Sequence, residues 1–497
     1  MYKNLRSGAS MEFKMKRQDW TFFLICLALG IVAEKSFLHG KIGLSYLLFI
    51  TCFYGVFFWR FRSFDFTNKK LGMLMIASIW LLAASFLLSS NMTLYILNIL
   101  VIPLFVLIHL VLVTYPLQNE WHKWRFVQKL FLTTGAAAVY VGRFLMYGPK
   151  LASKGIEEKT IAVLKRILIG LAISVPLLFV IINLLISADQ HFGQVISTFP
   201  MWLTGLRIEE EVIRIAATFF FTLAIFGLLQ ILRKKRVISE PAAEKGKQVS
   251  WDSIVSMTVL ILLNIVYLLF VIVQFKYFFS MTLQGGYTYA ELARRGFFEL
   301  LFVTMLNLLI ISSTVSFVEM GTKAVKLSVR GLLTLLVFFS GIMLYSAFIR
   351  LFMYEEAYGF TFARVLAHSF MIFLMVVLGY SLIRIWLERL SLVRFYIISS
   401  IIYYTMINTL QLDEFVVNQN LERYKETGKI DIYYLNSLSY DGVAGLVELY
   451  RLNPEIPRLK VLLQERKEEA LLSDVPWNSL NLSRWNAERI LRDTTLE

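Results

Sequence analysis

The chain has 497 residues, of which 57% are hydrophobic and only 17% charged, with a mean hydropathy of +0.64. That balance excludes a soluble globular domain, and repeated apolar runs of roughly 20 residues indicate an all-α, polytopic membrane protein rather than a short-stranded barrel. The formal net charge of +15 does not point to nucleic acid: from Asp413 onward there are 11 basic and 15 acidic side chains, a net −4, so +19 remains in the rest of the chain, mostly in short segments that orient membrane spans.

In chain order, Lys14-Met15-Lys16-Arg17 before an apolar run reads as an uncleaved signal-anchor. About eleven spans are predicted, at 20–37, 42–59, 71–89, 93–115, 166–187, 210–232, 251–275, 297–318, 331–353, 362–386 and 395–411. Segment 116–165, with "WHKWRFVQK" and then Gly135, Gly142 and Arg143 among apolar residues, predicts an amphipathic helix on the inner leaflet. Basic residues cluster at Lys3, Arg6, Lys14, Lys16 and Arg17, at Arg60, Arg62, Lys69 and Lys70, at 233–236, at Lys323 and Lys326, and at Arg389 and Arg394. The intervening loops are poorer in charge, the pair Arg294-Arg295 being the exception. Positive-inside logic then places residues 1–19 in the cytoplasm, the transmembrane helical domain at 20–411, and the acidic tail 412–497 outside as a small helical domain.

Chemistry is sparse. Cys26 and Cys52 fall inside spans and imply no disulfide; no HExxH, CxxC or phosphate-loop pattern occurs, so no metal or cofactor is expected. His109, in mid-span, is expected to make one hydrogen bond to a neighbouring helix. Asn98, Asn183, Asn264 and Asn307 are expected as interhelical hydrogen-bond partners. The densest polar cluster is Arg350, Glu355, Glu356, Tyr358, Arg364 and His368. Here a short loop is expected to join two spans, with Arg350 paired to Glu355 or Glu356; the cluster is either a hairpin lock or an outward polar pocket.

In the tail, Asp413, Val417, Asn420 and Tyr424 share one helical face, with Phe415 and Leu421 off it. The last span is expected to continue unbroken to Gly428, a C-terminal cap. Ser439 and Asp441 are expected to cap a further helix that Pro454 stops, and Trp477, Leu480, Leu482 and Trp485 to act as apolar anchors. Asn420, Arg423 and Tyr424 are expected to bind the outer loops beside "YEEAYG", a ligand role being the alternative.

Several stretches carry a family likeness: R-x₃-Y-x-E-A-Y-G-x-T-x₂-R from Arg350 to Arg364, Asn408, the N-x-x-R-Y of Asn420, Arg423 and Tyr424, the following D-x-x-Y-L and L-S-x-D, and the terminal W-x-x-x-N-L-S-R. Together they resemble a bacterial multi-pass family catalogued as domain of unknown function 4173. The resemblance implies a protein of the bacterial cytoplasmic membrane and no activity. Two function classes follow. One is a non-enzymatic envelope sensor, regulator or assembly partner acting through the exported tail, with the lipid bilayer and an envelope or membrane protein as partners. The other is a transporter or lipid-handling enzyme using the cluster at 350–368.

Overall fold

A computed structural model describes residues 15–115, 121–152, 170, 174, 210–234, 250–279, 297–319, 321–472 and 476–496. The basic residues up to 14, both ends of the 116–165 segment, the expected span at 166–187 apart from positions 170 and 174, Asn183 and Arg294-Arg295 lie outside the described residues. Among the described residues every regular element is helical, apart from an isolated bridge between Trp251 and Val318. The protein is an all-α polytopic membrane protein: eight of the described helices are long and apolar enough to cross a bilayer.

Two expected spans are less than that. Helix α2 (Leu44–Arg60) has 17 residues, and α11 (Leu392–Thr409) has 18, with Arg394 and several hydroxyl side chains. At 1.5 Å per residue each reaches only about 26 Å, slightly short of the ~30 Å hydrocarbon core. The opposite departure is α9 (Lys323–Tyr358), whose 36 residues extend about 54 Å. The expected span 331–353 is its middle.

The chain divides into two compact units. The first comprises Met1–Met73, Leu104–Ser239 and Pro476–Leu480. It holds α1 (Arg17–Leu38), α2, α5 (Trp124–Ala152) and α6 (Glu210–Lys234), with the first residues of α3 (Lys69–Leu88) and the end of α4 (Met92–Thr114). Helix α6 packs against both α1 and α5. A side chain at Gly30 would collide with Thr222 and the Thr218 carbonyl, so α1 and α6 approach closely through a small residue, as membrane helices do. At one end Asp19 accepts hydrogen bonds from Arg60 (3.1 Å) and Gln230 (2.8 Å), and Arg60 lies over the Phe22 ring. His109 makes one buried hydrogen bond, Nδ1 to the Tyr54 hydroxyl of α2 at 3.0 Å. Helix α5 buries Phe126, Thr133, Ala137, Tyr140 and Phe144 while Trp124, Phe131 and Leu132 stay exposed, the two-faced pattern of an amphipathic helix.

The second unit comprises Leu74–Pro103, Glu240–Val475 and Asn481–Glu497. Helix α9 is its centre and packs against α7 (Ser253–Phe279), α8 (Phe297–Phe317) and α10 (Phe362–Trp386). Asn307 donates to Ser340 (2.9 Å) and accepts from Tyr267 (2.8 Å), and Asn264 donates to the Leu332 carbonyl (3.1 Å). These amides join helices as expected.

After α11 the chain does not continue unbroken. Leu410 and Gln411 leave helical geometry before α12 (Leu412–Thr427) begins. Gly428 caps α12 with φ +70°, the left-handed geometry that glycine adopts at least cost. Then come α13 (Ile432–Ser437), α14 (Ser439–Leu452), α15 (Leu459–Leu472) and α16 (Leu482–Asp493). Val416, Leu421, Leu435, Leu446, Val447, Leu459, Leu463 and Leu491 form their core, continuous with Leu94, Phe362 and Ile407. Leu421 is therefore interior, while Phe415 is exposed. Trp477, Leu480, Leu482 and Trp485 are exposed rather than anchors, while Asn478, Ser479, Ala487 and Leu491 are buried. Trp477–Ser479 make a tight 3-10 turn, in which polar side chains reach backbone carbonyls: Asn478 donates to those of Lys35 and His39 (3.3 and 2.5 Å).

Candidate functional site

Of the polar residues singled out in the sequence, Glu356, Tyr358, Arg364, Asn420 and Arg423 gather in the second unit around the α9–α10 turn. "YEEAYG" is not a loop, since nothing before Gly359 breaks the helix, so Glu355, Glu356 and Tyr358 belong to the last turns of α9. Gly359 then has φ +84°, and Thr361 accepts from the Arg364 backbone N–H to cap α10. The Arg364 guanidinium donates to the Gly359 carbonyl and lies 4.1 Å from the Tyr354 ring. The hairpin motif thus encodes the turn itself. Tyr358 is exposed and packs beside Tyr354.

Helix α12 grips this turn. Asn420 accepts from the Phe360 N–H (3.0 Å) and donates to its carbonyl (2.8 Å). Arg423 donates to the carbonyls of Glu356 (3.2 Å) and Ala357 (2.9 Å), and the Tyr434 hydroxyl accepts from the Phe362 N–H at 2.6 Å. Tyr424 is engaged elsewhere, accepting from Asn453 at 3.0 Å.

The expected ion pair of Arg350 with Glu355 or Glu356 does not form. Arg350 donates to Gln274 of α7 at 2.7 Å, while Glu355 meets His368 of α10 at 2.9 Å and Glu356 is exposed. Arg350 and Glu355 are five positions apart, about 140° round the helix, and so face different neighbours.

Asn408 joins a second network. It accepts from Asn98 at 2.7 Å, and Asn98 also donates to Ser85 (3.0 Å) and accepts from Tyr404 (2.7 Å). Asp413, 3% exposed, accepts two hydrogen bonds from Asn91 at 2.9 Å each. Burial pushes the Asp413 carboxyl up to about 6 from its ordinary 3.8, with the Asn91 bonds opposing and the Asp441 charge adding. In the unfolded chain the group ionises at the lower value, so the folded state holds its proton more tightly. Folding is favoured at acid pH, and that advantage is lost as pH rises through about 6, a penalty of about 3 kcal/mol at neutral pH. The tail should therefore become more resistant to heat and trypsin as pH falls from about 7 to about 5, and Asp413→Asn should remove most of that dependence. Equal slopes in both proteins would refute the assignment.

Between α12, α14 and α16 lies a groove of about 520 Å3, lined by Gln411, Glu414, Asn418, Asp441, Glu448 and Arg489 among others. Asp441 accepts from Ser483 at 2.6 Å. Its carboxyl is held above the usual range, by burial first and by the Glu414 charge, against the Ser483 bond. The wall carries three acids against one arginine. Among the described residues no group of histidine, cysteine and carboxylate side chains could hold a metal ion.

Sequence reasoning missed Asn91, Asn481, Ser483 and Glu34. Asn481 caps α16 and donates to the carbonyls of Phe86 (3.0 Å) and Ser89 (2.8 Å), so N-L-S-R is a docking motif for the α3–α4 turn. A polar residue repeated inside a cap signature was the available signal. Glu34 is buried in α1 beside His39 at 3.2 Å; a carboxylate inside an apolar run marks it.

A family model described as Domain of unknown function (DUF4153) matches residues 76–449. This corrects the number 4173 suggested by the sequence motifs, and the terminal W-x-x-x-N-L-S-R lies beyond the matched region. No curated protein and no solved structure matches the chain.

Proposed function

The chain belongs to the DUF4153 family, and from that premise we propose that it is a sensor of the bacterial cytoplasmic membrane, its N-terminus cytoplasmic and its helical tail outside. The observation that carries this reading is the use of the motif residues. Asn420, Arg423, Tyr434 and Asn481 seat the tail on the turns of membrane helices, which supports a tail that reports to the membrane part. The groove between α12, α14 and α16 is the binding site in this reading. Asp441 and Glu414 repel each other there, and a cationic solute would relieve that repulsion. The transporter or lipid-enzyme reading has less support, because Arg350 and Arg364 bind neighbouring helix and turn atoms.

One labelling experiment tests both parts. In a background lacking Cys26 and Cys52, a cysteine at Asn418 should react with an impermeant thiol reagent on intact cells, whereas one at Arg389 should not. Spermidine should slow the reaction at Asn418 and glucose should not. Labelling at Arg389 sinks the orientation, and equal labelling with and without spermidine sinks the cationic ligand.

A further inference from the structure

We propose that the start of α9 and the α10–α11 turn form a binding site for the phosphate of an anionic phospholipid, whose acyl chains lie on Leu327, Ile383 and Trp386. The site belongs to the second unit and lies at the end of α9 away from the tail. Lys326 and Arg330, one helical turn apart, both reach Oε1 of Glu388 in the turn, Arg330 at 2.5 Å. The Glu388 carboxyl is held below the usual carboxylate range by the Lys326 bond first. The charges of Lys326, Arg330 and Arg384 add to this, against the cost of desolvation. Three cations therefore surround one carboxylate.

That ratio leaves the cluster positive. Among the described residues at this end of the unit, Lys323, Arg389 and Arg394 bring the cations to six, against Asp252, Glu319 and Glu388. Glu388 takes one of the five N–H donors of Arg330. A planar guanidinium can hold phosphate oxygens two at a time, and one more anion relieves the repulsion that a single carboxylate leaves.

The apolar part of a lipid has its place beside these charges. Leu327 lies three positions before Arg330, and Ile383 three before Trp386, so each pair shares a helix face. The Arg330 guanidinium stands 5.9 Å from the centre of the Trp386 ring, which joins the two faces. Leu327, Ile383 and Trp386 are exposed, on helices long and apolar enough to cross a bilayer. A tryptophan at the end of such a helix sits at headgroup depth, where lipid phosphate is.

Charge selects the lipid. Phosphatidylethanolamine brings its own ammonium, which surplus cations repel, whereas phosphatidylglycerol carries a net negative charge. The site shares no residue with the groove between α12, α14 and α16, so either idea can fail alone.

The test uses the full chain in nanodiscs of equal parts phosphatidylglycerol and phosphatidylethanolamine, with bromine on the chains of one lipid or the other. Bromine quenches nearby tryptophan, and the Trp386 emission is the difference between each protein and its Trp386→Phe counterpart. Quenching should report about a fivefold enrichment of phosphatidylglycerol at Trp386. Arg384→Gln, which breaks neither bond to Glu388, should lower the enrichment about twofold or more, and Arg330→Gln with Arg384→Gln should abolish it. Arg451→Gln with Arg492→Gln, an equal charge loss in the tail, should preserve it. Inorganic phosphate in an amount equal to the phosphatidylglycerol should also leave it unchanged, because free phosphate has no chains to lay on the apolar face. Equal quenching by the two lipids, or quenching by neither because a second copy covers the face, would overturn the proposal. So would an enrichment that survives loss of both arginines, that the tail variant also loses, or that inorganic phosphate removes.

Discussion

Gly359→Ala is expected to destabilise the protein by about 2–4 kcal/mol and to release the tail to protease. Two separate effects act. At φ +84° and ψ 172° the backbone occupies a region essentially confined to glycine. A β-carbon there would also stand 2.8 Å from Asn420 Oδ1, which accepts from the Phe360 N–H of the turn, and 3.4 Å from Nη1 of the Arg423 guanidinium, whose Nε and Nη2 hold the turn carbonyls. Asn420 cannot retreat without giving up the Phe360 N–H and carbonyl together. Gly379→Ala is the control: it lies in mid-α10 with nothing within 4 Å and should be neutral or slightly stabilising. Denaturant unfolding and trypsin cleavage after Lys425 measure both. A Gly359→Ala protein as stable and as protease-resistant as Gly379→Ala would show that the turn tolerates a side chain and that tail docking does not depend on it.

The second large effect is expected at Asn98. Its side chain is 1% exposed and joins three partners, donating to Ser85 and Asn408 and accepting from Tyr404. Asn98→Ala removes all three bonds and leaves buried groups unpaired, for a loss of about 3 kcal/mol. Thr51→Val is the comparison. Thr51 Oγ1 is exposed and bonds only within its own helix, to the Leu47 carbonyl, so the change should stay within about 0.5 kcal/mol. Equal unfolding free energies for the two variants would mean that the amide chain contributes nothing to helix association.

The membrane class and most of the spans were legible in the sequence. Lipid offers no hydrogen bonds, so a long apolar run must satisfy its backbone within itself, and length plus hydropathy suffices to find it. The same local logic located the Gly428 cap and the interhelical roles of Asn264, Asn307 and His109, because a polar group in such a run must find a partner on a neighbour. Charge density misled at "YEEAYG": it suggests a loop, yet helix propagation needs only the absence of a breaker, and none comes before Gly359.

What only the tertiary structure decided is which of two adjacent polar residues faces inward. Consecutive helical positions differ by about 100°. Glu355 is therefore buried against His368 while Glu356 is exposed, and Arg350 turns to Gln274 instead of either. That rotation is set by how α9 packs against α7, α8 and α10. The same holds for Asn91 with Asp413 and Asn481 with Ser89. These pairs are hundreds of positions apart, and no local periodicity joins them. Packing brings them together, because each buried amide or carboxylate costs free energy until a partner from another helix meets it.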